Sequence, residues 1–227
     1  MPTLVIANKC YSSWSLRPWL LLKQLGIAFD EVLVPLGQPD TPARIREHSP
    51  AGRVPVLKDG TVTVWDSLAI IEYAAERWPQ AEAWPEERGA RALARSISAE
   101  MHSGFQALRN GCPMNLGKRF APKDRGEAVS RDVARIDALW QDARERYGQG
   151  GPFLFGAFSA ADAMYAPVVT RFETYSAKVS PVSHAYMDAI LALPAFQEWR
   201  TAALAEPWFY KEDEVEEEPI ANFRLPR

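Results

Sequence analysis

The residue types able to do chemistry gather in three short stretches. The first, Tyr11-Ser12-Ser13-Trp14-Ser15-Leu16-Arg17, places three serine hydroxyls ahead of an apolar run that ends at Leu25. A serine at a helix start accepts from the free N–H groups of the first turn. The same place favours a bound anion, because backbone N–H groups and the positive end of the helix dipole converge there. The second stretch is Gly52-Arg53-Val54-Pro55-Val56-Leu57, then Lys58-Asp59-Gly60, Thr61-Val62-Thr63-Val64 and Trp65-Asp66-Ser67. Alternating Val, Leu and Thr around an Asp-Gly pair predicts a β-hairpin, and Asp66-Ser67 predicts a helix start directly after it. Pro55 cannot donate to a sheet ladder, so it belongs at a strand margin or in a special geometry. A cis Val54–Pro55 bond is one such geometry, found in about 5–6% of X–Pro bonds. It would turn the Val54 backbone towards a ligand. In the third stretch, Met101 to Arg109, the residues His102, Phe105 and Arg109 fall at helical spacing and are expected on one face.

Other chemistries find no support. His48, His102 and His184 show no metal-ligand spacing with each other or with the two cysteines, so no metal site is expected. Cys10 and Cys112 lie too far apart in sequence for a secreted-type framework, and Cys10 reads as a small buried hydrophobe. No Gly-rich phosphate loop and no Gly-x-Ser-x-Gly elbow occurs. The 227 residues, 47% hydrophobic and 24% charged, have the composition of a soluble globular protein with room for a sizeable core. A formal charge of -3 gives no electrostatic case for a nucleic-acid partner. Near the N-terminus only Leu4 to Ala7 is continuously apolar, too short for a signal segment or a membrane span. The expectation is a cytoplasmic protein with no membrane partner.

The elements that must position the three stretches follow from periodicity. Leu4-Val5-Ile6-Ala7 predicts a buried strand. A helix then runs to Leu25, with Pro18 in its first turn and Ser15 as its cap, and Gly26 stops it. Phe29 to Val34 reads as a second strand, and about 41–48 as a short helix before the hairpin. From Asp66, the positions Leu68, Ile71, Ala74, Ala75 and Trp78 keep helical spacing until Pro79. The order β-α-β-α-β-β-α implies a small mixed sheet with helices on its faces. Residues 81–87 read as a linker. Beyond it helical patterns cover about 88–110, 125–147, 159–176, 181–193 and 194–205, with no strand. The expected organisation is an α/β domain over 1–80, an all-α helical bundle over 88–206, and an acidic, solvated, mobile tail over 207–227.

In this order and spacing the motifs resemble those of the cytosolic glutathione transferase family, over nearly the whole chain to about Ala205. Val54-Pro55-Val56-Leu57 resembles the family's cis-proline strand, and Asp66-Ser67 followed by Ala69-Ile70 its acidic-Ser helix start. Tyr11 to Arg17 resembles the catalytic loop of the serine-type classes, theta, tau and zeta. Gly156-Ala157-Phe158-Ser159-Ala160-Ala161-Asp162 resembles the capping motif of the family's buried helix, in which serine and acid satisfy each other's backbone N–H groups. The fold the resemblance implies is a thioredoxin-like domain followed by a helical one, acting as a homodimer.

The resemblance also assigns roles. Glutathione would be the co-substrate, its thiol activated by Ser12, five residues ahead of Arg17, with Ser13 as the alternative. A free thiol ionises near about 8.5, and each unit of depression requires roughly 1.4 kcal/mol of preferential thiolate stabilisation. A hydroxyl donor beside a helix N-terminus can supply it. Val54 would pair its backbone with the cysteinyl unit, Ser67 would take the γ-glutamyl carboxylate, Asp66 the ammonium, and Arg53 the glycyl carboxylate. Trp14, His102, Phe105 and Arg109 are the candidates for lining the site of a small electrophile, which Arg109 would make hospitable to an anion. Trp14 stands where zeta enzymes carry a second cysteine, a departure that weighs against zeta-like isomerase activity. Two alternatives stay open: a transferase-like binding or regulatory protein without turnover, and a glutathione-dependent thiol reductase using Cys10.

Overall fold

The computed structural model describes residues 1–224. The chain runs β1 (Thr3–Ile6), α1 (Ser13–Gln24), β2 (Asp30–Leu33), α2 (Thr41–Arg46), β3 (Val56–Asp59), β4 (Val62–Trp65) and α3 (Ser67–Arg77). This is the thioredoxin-like β-α-β-α-β-β-α order. Strand order in the sheet is β2-β1-β3-β4. β1 pairs with β2 in parallel, Val5 opposite Val32, and with β3 antiparallel, Leu4 opposite Leu57. The hairpin turns at Gly60 and Thr61, between the paired residues Asp59 and Val62, with Gly60 at φ +59. A side chain there would be strained, which is why glycine holds the turn.

Period-two alternation decides which face each strand residue covers. Leu4, Ile6 and Leu57 join the large core with α1 and α3, whereas Val5 and Val56 turn the other way to meet Val34 and Ile45 of the α2 side. Both sheet faces are therefore covered, and β1 is buried from Leu4 onwards.

The helical domain comprises α4 (Arg88–Ser103), α5 (Gln106–Gly111), α6 (Glu127–Tyr147), α7 (Ala160–Thr174), α8 (Pro181–Leu191) and α9 (Pro194–Ala205). Its centre is α7, buried from Ala160 through Phe172 and packed against α1, α4 and α8. The small side chains of Ala160, Ala161, Ala163 and Ala166 leave room for that close approach. At its start, Asp162 Oδ2 accepts from the Ser159 N–H at 2.8 Å and the Ser159 hydroxyl at 2.9 Å, and Oδ1 from the Leu154 N–H at 3.1 Å. Trp140 of α6 fills the space beside α7, edge-on to Tyr165 and Tyr186.

Four sequence expectations are corrected. The helix expected over 88–110 is broken: Gly104 ends α4, and Phe105 adopts a left-handed conformation at φ +60 before α5 begins. His102, Phe105 and Arg109 therefore share no continuous helix face. α1 begins at Ser13, with Ser12 as its N-cap; its hydroxyl accepts the Ser15 N–H, so Ser15 is not the cap and Pro18 lies in the second turn. Short strands also exist beyond the linker, β5 (Lys118–Arg119) paired with β6 (Ala221–Asn222).

Finally, the acidic segment is tied down as far as residue 224; the last three residues of the expected tail lie outside the described residues. Glu214 accepts from Tyr11 Oη at 2.7 Å and Lys118 Nζ at 2.6 Å, and Glu217 accepts from both Arg125 Nη atoms at 2.9 and 3.0 Å. The run of carboxylates is not a purely solvated face because cations of distant elements stand opposite it. Among the described residues, no helix is long and apolar enough to cross a membrane.

Candidate active site

Two cavities adjoin where the loop ahead of α1 meets the helical domain. One, of 690 Å³, is lined by Ser12, Arg53, Val54, Trp65, Asp66 and Ser67 among others. The other, of 350 Å³, has Ser13, His102, Gln106, Arg109, Arg171 and Asp213 on its walls. Ser12, Trp14 and Leu36 border both. A third cavity of 610 Å³ lies beside α5, α6 and α7 and includes none of the hydroxyls of the α1 loop. We place the chemistry in the adjoining pair, because a hydroxyl, a helix start and free backbone groups converge there.

Ser12 is 8% exposed and its Oγ lies 2.8 Å from Ser15 Oγ. Ser13 differs. Its Oγ accepts from Arg171 Nη2 at 3.2 Å, and it borders the smaller cavity only. Tyr11, on the same loop, is committed elsewhere: its hydroxyl donates to Glu214 and accepts from Arg224 Nη1 at 2.8 Å, and burial with that carboxylate raises its pKa far above the ordinary phenol range. Cys10 is fully buried, and burial pushes its thiol up to about 11. A thiol held neutral there is not a nucleophile, which counts against the reductase alternative. Its loop is clamped from the C-terminal side, since Glu206 accepts from the Lys9 N–H at 2.7 Å and the Cys10 N–H at 3.1 Å.

The larger cavity offers unpaired backbone groups beside a helix start. The Val54–Pro55 bond is cis. Among the described residues neither the N–H nor the C=O of Val54 has a hydrogen-bond partner, so both remain available. Ser67 is the first residue of α3. Asp66 caps that helix, its Oδ1 accepting from the Leu68 N–H at 2.9 Å and the Ala69 N–H at 3.3 Å. The cap leaves the Ser67 N–H free. Asp66 Oδ2 lies 3.3 Å from His102 Nε2, so this carboxylate joins the two domains as well as capping. Its backbone stands at φ +78, strained for a residue with a side chain and typical of a functional position. Arg53 is exposed at the cavity rim and has no ion pair among the described residues.

Arg17, marked in the sequence by the family resemblance, is fully buried behind Ser67. Its Nη1 donates to Ser67 Oγ at 3.1 Å, while Nε and Nη2 have no partner among the described residues. Its guanidinium lies 4.3 Å from the centre of the Trp14 ring. Burial, together with the positive charges of Arg109 and Arg171, holds its pKa well below the ordinary arginine value.

In the smaller cavity the structure brings together Trp14, His102 and Arg109 but not Phe105, which is buried in the core. The left-handed turn at Phe105 is the reason. Trp14 meets the His102 ring edge-on at 5.3 Å and Arg109 at 5.1 Å. Arg109 is also structural. It donates to the carbonyls of Met101 and Gly104, the free acceptors at the end of α4. Burial lowers the His102 pKa, and the charges of Arg17 and Arg109 add to this against the pull of Asp66. Two lining residues escaped the sequence reading. Arg171 of α7 is buried, and burial with neighbouring Arg109 lowers its pKa to about 10. Asp213, from the acidic segment, is raised to about 6 by burial despite Arg171. No cluster of potential metal ligands occurs among the described residues.

A thioredoxin-like domain with a cis-proline strand and a serine-capped first helix, set against a mainly helical domain, defines the architecture of a thiol-peptide transferase. Comparison with known proteins agrees. Residues 11–77 match the glutathione S-transferase N-terminal domain and residues 126–202 the C-terminal domain. The chain is 30% identical over 203 residues to a maleylacetoacetate isomerase of Rattus norvegicus, covering 86% of this chain and 90% of that one. It is 26% identical over 203 residues to a zeta class glutathione S-transferase of Euphorbia esula, covering 86% and 89%. A Burkholderia glutathione transferase homolog, solved with bound glutathione, superposes with a TM-score of 0.66 at 26% identity, covering 89% of this chain and 97% of that one. The chain belongs to the glutathione S-transferase family.

Proposed function

We propose that this protein is a glutathione transferase that holds glutathione in the larger cavity, with its thiol at Ser12 facing an electrophile in the smaller one. The observation that carries the reading is the position of Ser12, at the N-terminus of α1 and on the border of both cavities. The thiol proton leaves to solvent, the thiolate forms the new S–C bond, and the electrophile's leaving group departs or its π-electrons shift. Lowering the thiol pKa by two units requires roughly 2.7 kcal/mol. A hydrogen bond to a charged group supplies about 1.5–3 kcal/mol and the helix N-terminus about 0.3–1. The two suffice.

The free Val54 N–H and C=O suit the cysteinyl unit, and the Ser67 hydroxyl and N–H, backed by Arg17, suit the γ-glutamyl carboxylate. Asp66 and Arg53 line the same cavity and suit the ammonium and the glycyl carboxylate. Arg109 and Arg171 favour an anionic electrophile, so that conjugation and thiol-assisted isomerisation of an acidic olefin both fit the smaller cavity. On this reading the protein works as a homodimer in the cytoplasm, where two free buried cysteines stay reduced.

The test is Ser12→Ala, assayed by thiol conjugation to an aryl halide and by glutathione-affinity capture. Capture is expected to persist while kcat/KM falls about 10- to 100-fold at neutral pH. Full activity in Ser12→Ala with loss in Ser13→Ala would move the role by one residue. Capture without turnover of any electrophile by the unaltered protein would favour the binding-protein alternative.

A further inference from the structure

Ser12 is connected, through one buried side chain, to the first strand. Ser15 is fully buried in the first turn of α1. Its Oγ accepts the N–H of Ala7, the residue after β1, at 3.0 Å, and lies 2.8 Å from Ser12 Oγ. The Ser15 N–H in turn donates to Ser12 Oγ at 3.3 Å. Each hydroxyl has one hydrogen and two lone pairs, and the hydrogen rotates to suit its surroundings. Two arrangements are therefore open across the 2.8 Å contact. If Ser12 donates, the Ser15 hydrogen is buried without an acceptor among the described residues, and Ser12 presents only a lone pair to the cavities. If Ser15 donates, every group is used: the Ala7 N–H reaches Ser15, the Ser15 hydrogen reaches Ser12, and the Ser15 N–H fills the second Ser12 lone pair. The Ser12 hydrogen is then left for whatever lies in the cavity. A buried donor without an acceptor is costly, which selects the second arrangement.

We propose that Ser15 is a positioning residue that fixes the Ser12 hydroxyl as a donor towards a bound thiolate. The inference rests on the Ser12 reading above and deepens it. An oxygen that already accepts two hydrogen bonds is polarised and makes its own hydrogen a better donor. No proton travels along the chain from Ala7 through Ser15 to Ser12. Each hydrogen stays on its own atom, and the thiol proton goes to solvent. Both oxygens belong to one helical turn anchored to β1, so the donor direction is set before the ligand arrives.

The experiment titrates the ultraviolet absorbance of enzyme-bound glutathione thiolate against pH in the full-length protein. Ser12→Ala is expected to raise the midpoint by about one to two units, and Ser15→Ala by about half a unit. Ser15→Thr, which keeps the hydroxyl, should titrate like the unaltered protein. Because Ser15 acts through Ser12, the double variant should titrate with Ser12→Ala alone. A purely structural role for Ser15 would lower the melting temperature without moving the midpoint. That result, or a Ser15→Ala shift that persists undiminished in the Ser12→Ala background, overturns the proposal while leaving the Ser12 reading intact. An unmoved midpoint in Ser12→Ala refutes the underlying reading instead. Should Ser15→Ala not fold, Ser15→Cys keeps the shape of the side chain with a weak donor and is expected to shift the midpoint in the same direction; an unshifted midpoint there refutes the inference equally.

Discussion

Replacing Asp162 by alanine probes the element that seats α7 against α1. The carboxylate is fully buried and accepts from the Leu154 N–H, the Ser159 N–H and the Ser159 hydroxyl. The hydroxyl can rotate to another acceptor, but the two backbone N–H groups cannot. Each buried orphan costs about 1–3 kcal/mol, so Asp162→Ala is expected to destabilise by about 2–6 kcal/mol, several times the loss of a solvent-exposed cap. The loss is a large share of the roughly 5–15 kcal/mol that holds a domain together. It also depends on pH. Burial raises the Asp162 pKa from its ordinary 3.8 to about 6, so between those values the folded state binds the proton more tightly than the unfolded chain. The stability this contributes is fully present below about pH 4 and is lost as pH rises through about 6, an interval worth roughly 3 kcal/mol. The destabilisation caused by Asp162→Ala should accordingly be larger at pH 4 than at pH 7. Urea unfolding followed by far-ultraviolet circular dichroism at both pH values measures it, with the slope m as the check that the same surface unfolds. A difference below about 0.5 kcal/mol, or one equal at both pH values, would refute the reasoning.

Two further outcomes test the cavities. Ser67→Ala removes the only hydrogen-bond partner of the buried Arg17 among the described residues and, on the proposed reading, one group for the γ-glutamyl carboxylate. It should raise KM for glutathione about tenfold with kcat nearly unchanged, and cost about 1–3 kcal/mol of stability by thermal melting; an unchanged KM would remove Ser67 from the binding site. Asp213, raised to about 6 by burial, lines the smaller cavity, so it is neutral below that pH and anionic above it. KM for an acidic electrophile is expected to rise as pH passes upwards through 6, and Asp213→Asn should flatten that rise; a profile identical in both proteins would show that the carboxylate does not sense the substrate.

The sequence by itself determined what depends on neighbours within a few residues. The hairpin about Gly60, the cap at Asp66, the acid that closes the α7 start at Asp162, and the span of α9 are all set by local donors, acceptors and side-chain periodicity. So was the neighbourhood of Ser12, although its hydroxyl proved to be the helix cap that Ser15 was expected to be. Periodicity failed at Phe105 because a left-handed residue interrupts the helix while apolar spacing continues across the break. Only the tertiary structure decided what lines the smaller cavity and what holds the loop ahead of α1. Arg171 reaches Ser13 across 158 residues, Glu214 reaches Tyr11 across 203, and Glu206 takes the Lys9 and Cys10 N–H groups across 197 and 196. A charge has no sequence period, so its partner is settled only when packing of α1, α7 and the C-terminal segment brings distant groups within hydrogen-bond reach. A run of glutamates therefore reads as solvated surface along the chain, while in the fold two of them clamp Tyr11 and Arg125.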